Sequence, residues 1–196
     1  ILCGDPDQIE SVGCGSVFRD LLNSNTFCTV TLNQFMRQDA QSSIVQNCKK
    51  ILEGNPDLIA DEQFFIGRYE SDEAAKRALL YYYPKDEDCM KHQILSTTKQ
   101  GKVGTEVLNR TLEGPADADS LIYHDYVYRA GDKAVFVSNN YKVGYCNGDV
   151  GVITEIHNGM TVSLGDETVS LGEYDLDEIL PADVITVHKS QGGEYE

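Results

Sequence analysis

No apolar run in this 196-residue chain approaches the roughly 18 residues that a membrane-spanning helix needs. Nor is there the charged, apolar and small-residue succession of a secretory signal. A membrane partner is therefore not expected, and a cytoplasmic location is. The six cysteines (Cys3, Cys14, Cys28, Cys48, Cys89, Cys146) include no Cys-x-x-Cys pair, and no histidine stands at metal-ligand spacing. That argues against zinc or a disulfide framework and for free, buried thiols in a reducing compartment. Basic residues are scarce: 16 Lys and Arg against 32 Asp and Glu, a net charge of −16. Such a balance excludes a protein that coats nucleic acid with a general basic surface. Internal repeats and low-complexity tracts are absent. So is Gly-x-x-x-x-Gly-Lys-[Ser/Thr], the loop that cradles nucleotide phosphates and supplies a hydroxyl to magnesium. The one Gly-Lys pair, Gly101-Lys102, is followed by Val103, and Ser96 stands where the first glycine belongs.

What is present is enough for a core. The chain is 41% apolar, and its length allows one large or two small domains. Charge is unevenly spread. Between Lys91 and Leu112, four basic residues (Lys91, Lys99, Lys102, Arg110) face Glu106 alone, a local net of +3. From Val184 to Gly193 there is Lys189 and no acid, whereas acid gathers in Asp61 to Glu87 and Asp166 to Glu178. Charge runs of this kind are usually solvated faces. Two positive islands in an acidic chain also suit a narrow anionic track.

The first half alternates strand and helix patterns. A short helix is expected over Ser16 to Leu22, and a strand over Cys28-Thr29-Val30-Thr31-Leu32. Ser42 or Ser43 caps a helix carrying Ile44, Val45, Cys48, Ile51 and Leu52, stopped by Gly54-Asn55-Pro56. Leu58-Ile59-Ala60-Asp61-Glu62 reads as a surface loop and Phe64-Phe65-Ile66 as a short strand. A second helix opens at Ser71-Asp72-Glu73 and stops near Pro84. Gln93 to Ser96 is a strand, and Gly104-Thr105 starts a further helix. Alternation of this sort indicates a parallel α/β sheet. After Gly114-Pro115 helical periodicity vanishes. Short β-rich segments follow at Leu121 to Val127, Lys133 to Val137, Gly151 to Ile156, Met160 to Leu164 and Thr168 to Leu171. Asn139-Asn140, Asn147-Gly148-Asp149, His157-Asn158-Gly159 and Gly165-Asp166 punctuate them. Strands at that spacing predict a small barrel. The parallel pattern resumes at Pro181.

Three segments carry chemistry. Val184 to Gly193 is an apolar β-branched run that releases His188-Lys189-Ser190-Gln191 at its tip, the position where ligands bind on open α/β sheets. Gly4 to Gly15 (GDPDQIESVGCG) and Leu32 to Gln38 (LNQFMRQ) precede it. In this order they resemble motifs III, IV and V of superfamily 1 helicases, and most nearly the RecD family, the exodeoxyribonuclease V alpha-subunit type. The family patterns are GDxxQLPSVGxG, LTxxFRQ and TxHKSQGxE. Departures are small: Ile9-Glu10 replaces Leu-Pro, and Met36 intervenes between Phe35 and Arg37. Ser96 to Gly101 with Leu108-Asn109, and Asn147 to Gly151, also resemble the family, so the likeness covers essentially the whole chain.

The resemblance implies a RecA-like (P-loop NTPase-type) second helicase domain with an inserted SH3-like β-barrel. The corresponding division is residues 1–26 (end of a first RecA-like domain), 27–113 (second RecA-like domain), 114–179 (barrel) and 180–196 (motif V). It implies ATP and Mg2+ as cofactors of a parent protein that moves 5′ to 3′ on single-stranded DNA and unwinds duplex in repair or recombination. Gln8 and Arg37 would act catalytically at the γ-phosphate, and both, with Gly192 and Glu194, would hold ATP. An arginine suits the finger role because its guanidinium is always charged and forked; the alternative is an ion pair with Asp39 or another carboxylate. Thr97, Lys99, Asn109, Thr186, His188 and Lys189 would contact DNA, through phosphates rather than bases. His188 alone could equally be a buried histidine satisfied by backbone. Tyr126, Tyr128, Tyr141 and Tyr145 are stacking candidates, with barrel core as the alternative; Tyr81-Tyr82-Tyr83 is expected to pack.

The chain starts without Met and stops inside motif V, so an excised fragment is expected, with no bound nucleotide or metal and no activity of its own. Two rivals stand beside this expectation. One is a non-catalytic interaction module whose barrel binds a protein, and RecB/RecC-type subunits are partners the family suggests. The other is the helicase domain of a conjugative relaxase.

Overall fold

The computed structural model describes residues 1–10, 13–32, 41–83, 89–193 and 195. It is a mixed α/β chain in two compact units, Ile1–Arg68 and Tyr69–Glu196. Among the described residues no helix is long and apolar enough to cross a membrane.

In the first unit, α1 (Val17–Asn23) has no buried residue and serves as a strut for the loop before it. Arg19 donates to the Pro6 carbonyl and pairs with Glu10 at 3.3 Å. A Cβ on Gly4 would sit 3.3 Å from the Phe18 ring, so glycine lets the loop lie against the helix. The second helix, α2 (Ser43–Leu52), begins after Ser42 as expected. Its buried face differs from the expected stripe. Val45 and Asn47 are inside, whereas Cys48, Ile51 and Leu52 are exposed. Asn47 donates to the Ile59 carbonyl (2.7 Å) and accepts from the Ile59 amide (2.8 Å), pinning the irregular segment after the helix. Ser43 donates to Asp61 at 2.8 Å. Residues 58–62 are indeed a loop. The strands expected at Cys28–Leu32 and Phe64–Ile66 are not formed; Val30 is 83% and Leu32 91% exposed. A lone extended segment has no ladder to join, and no strand lies among the described residues of this unit.

The second unit opens with α3 (Asp72–Tyr82), whose cap Ser71 accepts from the Ala74 amide. Then come β1 (Ile94–Ser96) and α4 (Thr105–Leu112). At the far end of the chain, β9 (Val184–Thr186) lies parallel to β1, with Ile94 opposite Val184 and Ser96 opposite Thr186. Leu108 and Leu112 of α4 pack with Ile94 and Val184, and Leu79, Leu80 and Tyr83 cover them.

Everything between α4 and β9 is antiparallel. The segment expected as one strand over Leu121 to Val127 is a hairpin of β2 (Leu121–Tyr123) and β3 (Tyr126–Tyr128). It turns at His124-Asp125, whose φ angles are +48° and +65°. These are the left-handed values a two-residue hairpin requires. Next follow β4 (Lys133–Phe136), β5 (Val150–Ile156), β6 (Gly159–Leu164) and β7 (Glu167–Gly172). A 3-10 turn (Glu173–Glu178) then leads to β8 (Ile179–Pro181). These strands form a five-stranded sheet in the order β7-β6-β5-β4-β8. Its order is linear, and among the described residues no ladder joins β7 to β8, so the expected closed barrel is not shown. Pro181, expected to open the parallel strand, instead ends β8 opposite Ala134.

The inner face of the sheet holds one core. Phe136, Ile153, Val162, Val169 and Ile179 meet Tyr128, Tyr145 and Leu176 there. β7 alternates buried and exposed residues, as a one-sided strand should. β4 is buried throughout, because Val135 faces away from that core toward Ala182 and Ile185. Through β4 the antiparallel sheet packs on the parallel pair.

Candidate nucleic-acid interface

Because β1 and β9 are parallel neighbours, the loops that leave them emerge at the same edge. Thr97 and Lys99 follow β1, both exposed. Thr186 ends β9, and the chain then turns tightly. The Lys189 amide donates to the Thr186 carbonyl (2.9 Å) and Ser190 Oγ to the Val187 carbonyl (2.9 Å). This turn leaves His188 exposed and Lys189 half-buried. Burial pushes the Lys189 ammonium below its ordinary pKa, and the nearby Lys99 charge pushes the same way. Two like charges thus lie near one another at this strand edge. The structure therefore brings Thr97, Lys99, Thr186, His188 and Lys189 to one edge.

Ser96 shapes the loop after β1 by donating to the Val103 (2.8 Å) and Thr98 (3.1 Å) carbonyls. That loop in turn caps α4: the Thr105 and Glu106 amides donate to Thr98 and Lys99 carbonyls at 3.1 and 3.2 Å. Gly104 is needed at this crossing, since a Cβ would lie 2.5 Å from the Lys99 and Gln100 carbonyl oxygens.

Asn109 does not belong to the exposed set. It is 5% exposed. Its Nδ2 donates to the Val184 (2.9 Å) and Pro181 (3.2 Å) carbonyls, and its Oδ1 accepts from the Val184 amide at 2.9 Å. An amide so engaged cannot reach a phosphate; it fastens α4 to β9. Sequence pattern identified the residue type at that position without revealing which way it points.

A cleft of about 690 Å³ opens beside this edge. One wall is the turn after β9, including His188, Lys189 and Gly192. The other is Asn147-Gly148-Asp149 in the β4–β5 connection, where the Asp149 carboxylate accepts from the Cys146 amide at 2.7 Å. Lys133 and Gln93 line it as well, and sequence reasoning missed both. Lys133 is 2% exposed, and burial pushes its pKa down. Its signal was a lysine opening an otherwise apolar strand.

Gln8 lies exposed in the first unit, its backbone N–H donating to the Asp5 carbonyl. Gly192 is exposed with φ +89°. Arg37 and Glu194 fall outside the described residues. Three of the four tyrosines considered for stacking are buried: Tyr126, Tyr128 and Tyr145. Tyr145 stacks on Phe136 and donates to Glu178. Only Tyr141 of the four is open, at 79%. Tyr81 and Tyr82, expected to pack, are exposed, and Tyr83 alone turns inward. Nor are the thiols buried as expected; Cys3, Cys14, Cys28 and Cys48 are free and exposed, Cys89 and Cys146 half-buried.

The start of α4 has no free Thr105 or Glu106 amide for a phosphate. The first amides of α4 are already bonded to the loop before it, and Lys102 pairs with Glu73 at 3.5 Å. Among the described residues no group of three or more His, Cys, Asp or Glu side chains could hold a metal ion.

Comparison with known proteins gives the first unit a family likeness. Residues 1–68 match the family model described as an AAA domain. The chain is also similar to a solved structure of two coordinating Pif1 helicases at forked duplex DNA. That match has 29% identity over 34% of this chain and 19% of the other, with a TM-score of 0.30. It is similar to unliganded Pif1 from Bacteroides sp at 21% identity, covering 55% of this chain and 45% of that one, with a TM-score of 0.38. For Bacteroides Pif1 bound to single-stranded DNA the identity is 18%, the coverage 75% and 50%, and the TM-score 0.35. The chain thus spans between 19% and 50% of these proteins' lengths.

Proposed function

We propose that this chain is the C-terminal motor portion of a RecD-like superfamily 1 helicase, an ATP-dependent enzyme that moves along single-stranded DNA and unwinds duplex. The observation that carries this is the shared edge of β1 and β9. There Lys99 and Lys189 stand close enough for one charge to depress the other's pKa, with Thr97, Thr186 and His188 beside them. Short hydroxyls and lysines at strand tips hold phosphates without reading bases, which suits a motor that must pass over any sequence. The AAA-domain match over residues 1–68 supports a nucleotide-driven machine. Gln8, Arg37, Gly192 and Glu194 are the residues assigned to ATP, and Mg2+ would accompany the nucleotide. The direction assigned is 5′ to 3′.

Residues 114–179 are assigned to an SH3-like insertion. Its support is the succession of four antiparallel strands, a 3-10 turn and a fifth strand that returns to pair with the first. Exposed Tyr141 and Tyr174, at 79% and 96%, favour a second role for the insertion as a contact surface for a partner protein, such as a RecB/RecC-type subunit.

The test is hydrolysis by the full-length parent protein. Oligo-dT should stimulate its ATPase, and Lys99→Ala with Lys189→Ala should raise the DNA concentration needed for half-stimulation. The 196-residue chain alone should hydrolyse nothing. A full-length protein that ignores DNA, or an isolated chain that hydrolyses ATP above buffer, would refute the assignment.

A further inference from the structure

The segment that leaves β8 and becomes β9 is gripped by the side chains of Gln93 and Tyr83 and by the backbone of Lys133, whose side chain in turn holds Gln93. Gln93, one residue before β1, donates its amide to the carbonyls of Asp183 (2.8 Å), Ala182 (3.0 Å) and Ile94 (3.1 Å). Tyr83, at the end of α3, donates to the Asp183 carboxylate at 2.8 Å. Lys133, from β4, donates to Gln93 Oε1 (3.1 Å) and to the His92 carbonyl (2.7 Å). Its own carbonyl accepts from the Ala182 amide at 2.9 Å. The Lys133 ammonium also lies 5.7 Å from the centre of the Tyr83 ring. Lys133 belongs to the inserted sheet and Gln93 to the parallel layer. They meet in the cleft whose walls are Asn147–Val150 and the turn after β9.

Stability does not account for this lysine. Taking an ammonium out of water is costly, and an apolar side chain of like volume often serves a buried site as well or better. What a buried polar contact can supply is a fixed geometry, because its donors and acceptors are satisfied in one arrangement only. We propose that Lys133 and Gln93 are positioning residues, a latch that fixes the spacing between the β4–β5 connection and the turn carrying His188 and Lys189. The inserted sheet and the motif V turn then move as one body. The consequence for DNA rests on the helicase assignment above; the latch itself does not.

Two near-isosteric substitutions, Lys133→Met and Gln93→Leu, test it, each read by hydrogen–deuterium exchange on this chain and by DNA-stimulated ATPase of the full-length protein. Exchange should rise in residues 182–190 and 147–150 while β5 to β7 stay protected. Half-stimulating oligo-dT should rise roughly tenfold, as a displaced contact set would require, with kcat little changed. Unchanged exchange in both segments would overturn the latch. So would a rise spread evenly over the chain with a lower urea midpoint, which is the mark of a merely structural role. If one variant fails to fold, the other decides. If the wild-type enzyme shows no response to DNA, the helicase assignment falls and the exchange result still decides the latch.

Discussion

Asn109 brackets Val184: its Oδ1 accepts from the Val184 amide and its Nδ2 donates to the Val184 carbonyl, both at 2.9 Å. One side chain thereby satisfies both the amide and the carbonyl of Val184. Asn109→Ala would leave buried backbone groups unpaired, each costing about 1–3 kcal/mol. Urea unfolding should show a loss of roughly 2–4 kcal/mol. A neutral result would mean that water replaces the amide and that Asn109 is not the fastener described.

Lys99 and Lys189 should each account for one phosphate contact. For single strands the salt dependence of binding falls by about 0.7 per contact removed. Lys99→Ala and Lys189→Ala in the full-length protein should therefore each flatten the log Kd against log salt line by that amount. Both should weaken all oligonucleotide sequences alike. Sequence-selective loss would move the binding track elsewhere.

Gly104 should not tolerate a side chain. Its Cβ would press on two backbone oxygens at 2.5 Å, and neither can swing away as a side chain would. Gly104→Ala should cost roughly 1–3 kcal/mol and shift the loop that carries Thr97 and Lys99. Thermal melting and oligo-dT affinity should both suffer; an unaffected Tm would show that the loop re-forms at no cost.

Asp177 ties the hairpin tip to the 3-10 turn. His124 Nε2 lies 2.6 Å from its Oδ1, and Tyr123 donates to the same oxygen at 2.8 Å. His124 first, then Tyr123, holds the Asp177 carboxyl below the usual carboxylate range. A depressed carboxyl favours the folded form above its unfolded pKa of about 3.9, and that contribution is lost as pH falls through the lower folded value. An NMR titration of the Asp177 carboxyl should therefore give a midpoint below that of an ordinary aspartate, and His124→Ala should move it upward. An unmoved midpoint would show the histidine contact to be absent in solution.

The legible elements were those whose signals are local. Ser42 and Ser71 announced α2 and α3, Gly104 announced α4, and the apolar runs at Ile94 and Val184 announced the parallel strands. The β2–β3 hairpin was hidden because His124-Asp125 makes its turn without glycine or asparagine. Pro181 was misplaced because proline reads as punctuation, yet at the edge strand β8 it needs no amide. The edge formed by Lys99 and Lys189 was legible as two positive islands; their meeting was not, since about 90 residues separate them in sequence. Asn109 and Lys133 show the limit most plainly. Pattern names a polar residue, and only the fold tells whether it faces water, as Lys99 does, or a buried carbonyl, as Asn109 does.

The most direct test of the central claim is a protection map of the full-length protein, with and without oligo-dT, by hydrogen–deuterium exchange. The account predicts that DNA slows exchange at residues 97–103 and 186–190 together, the two loops that leave β1 and β9. Protection confined to the inserted sheet, or none at either loop, would contradict it.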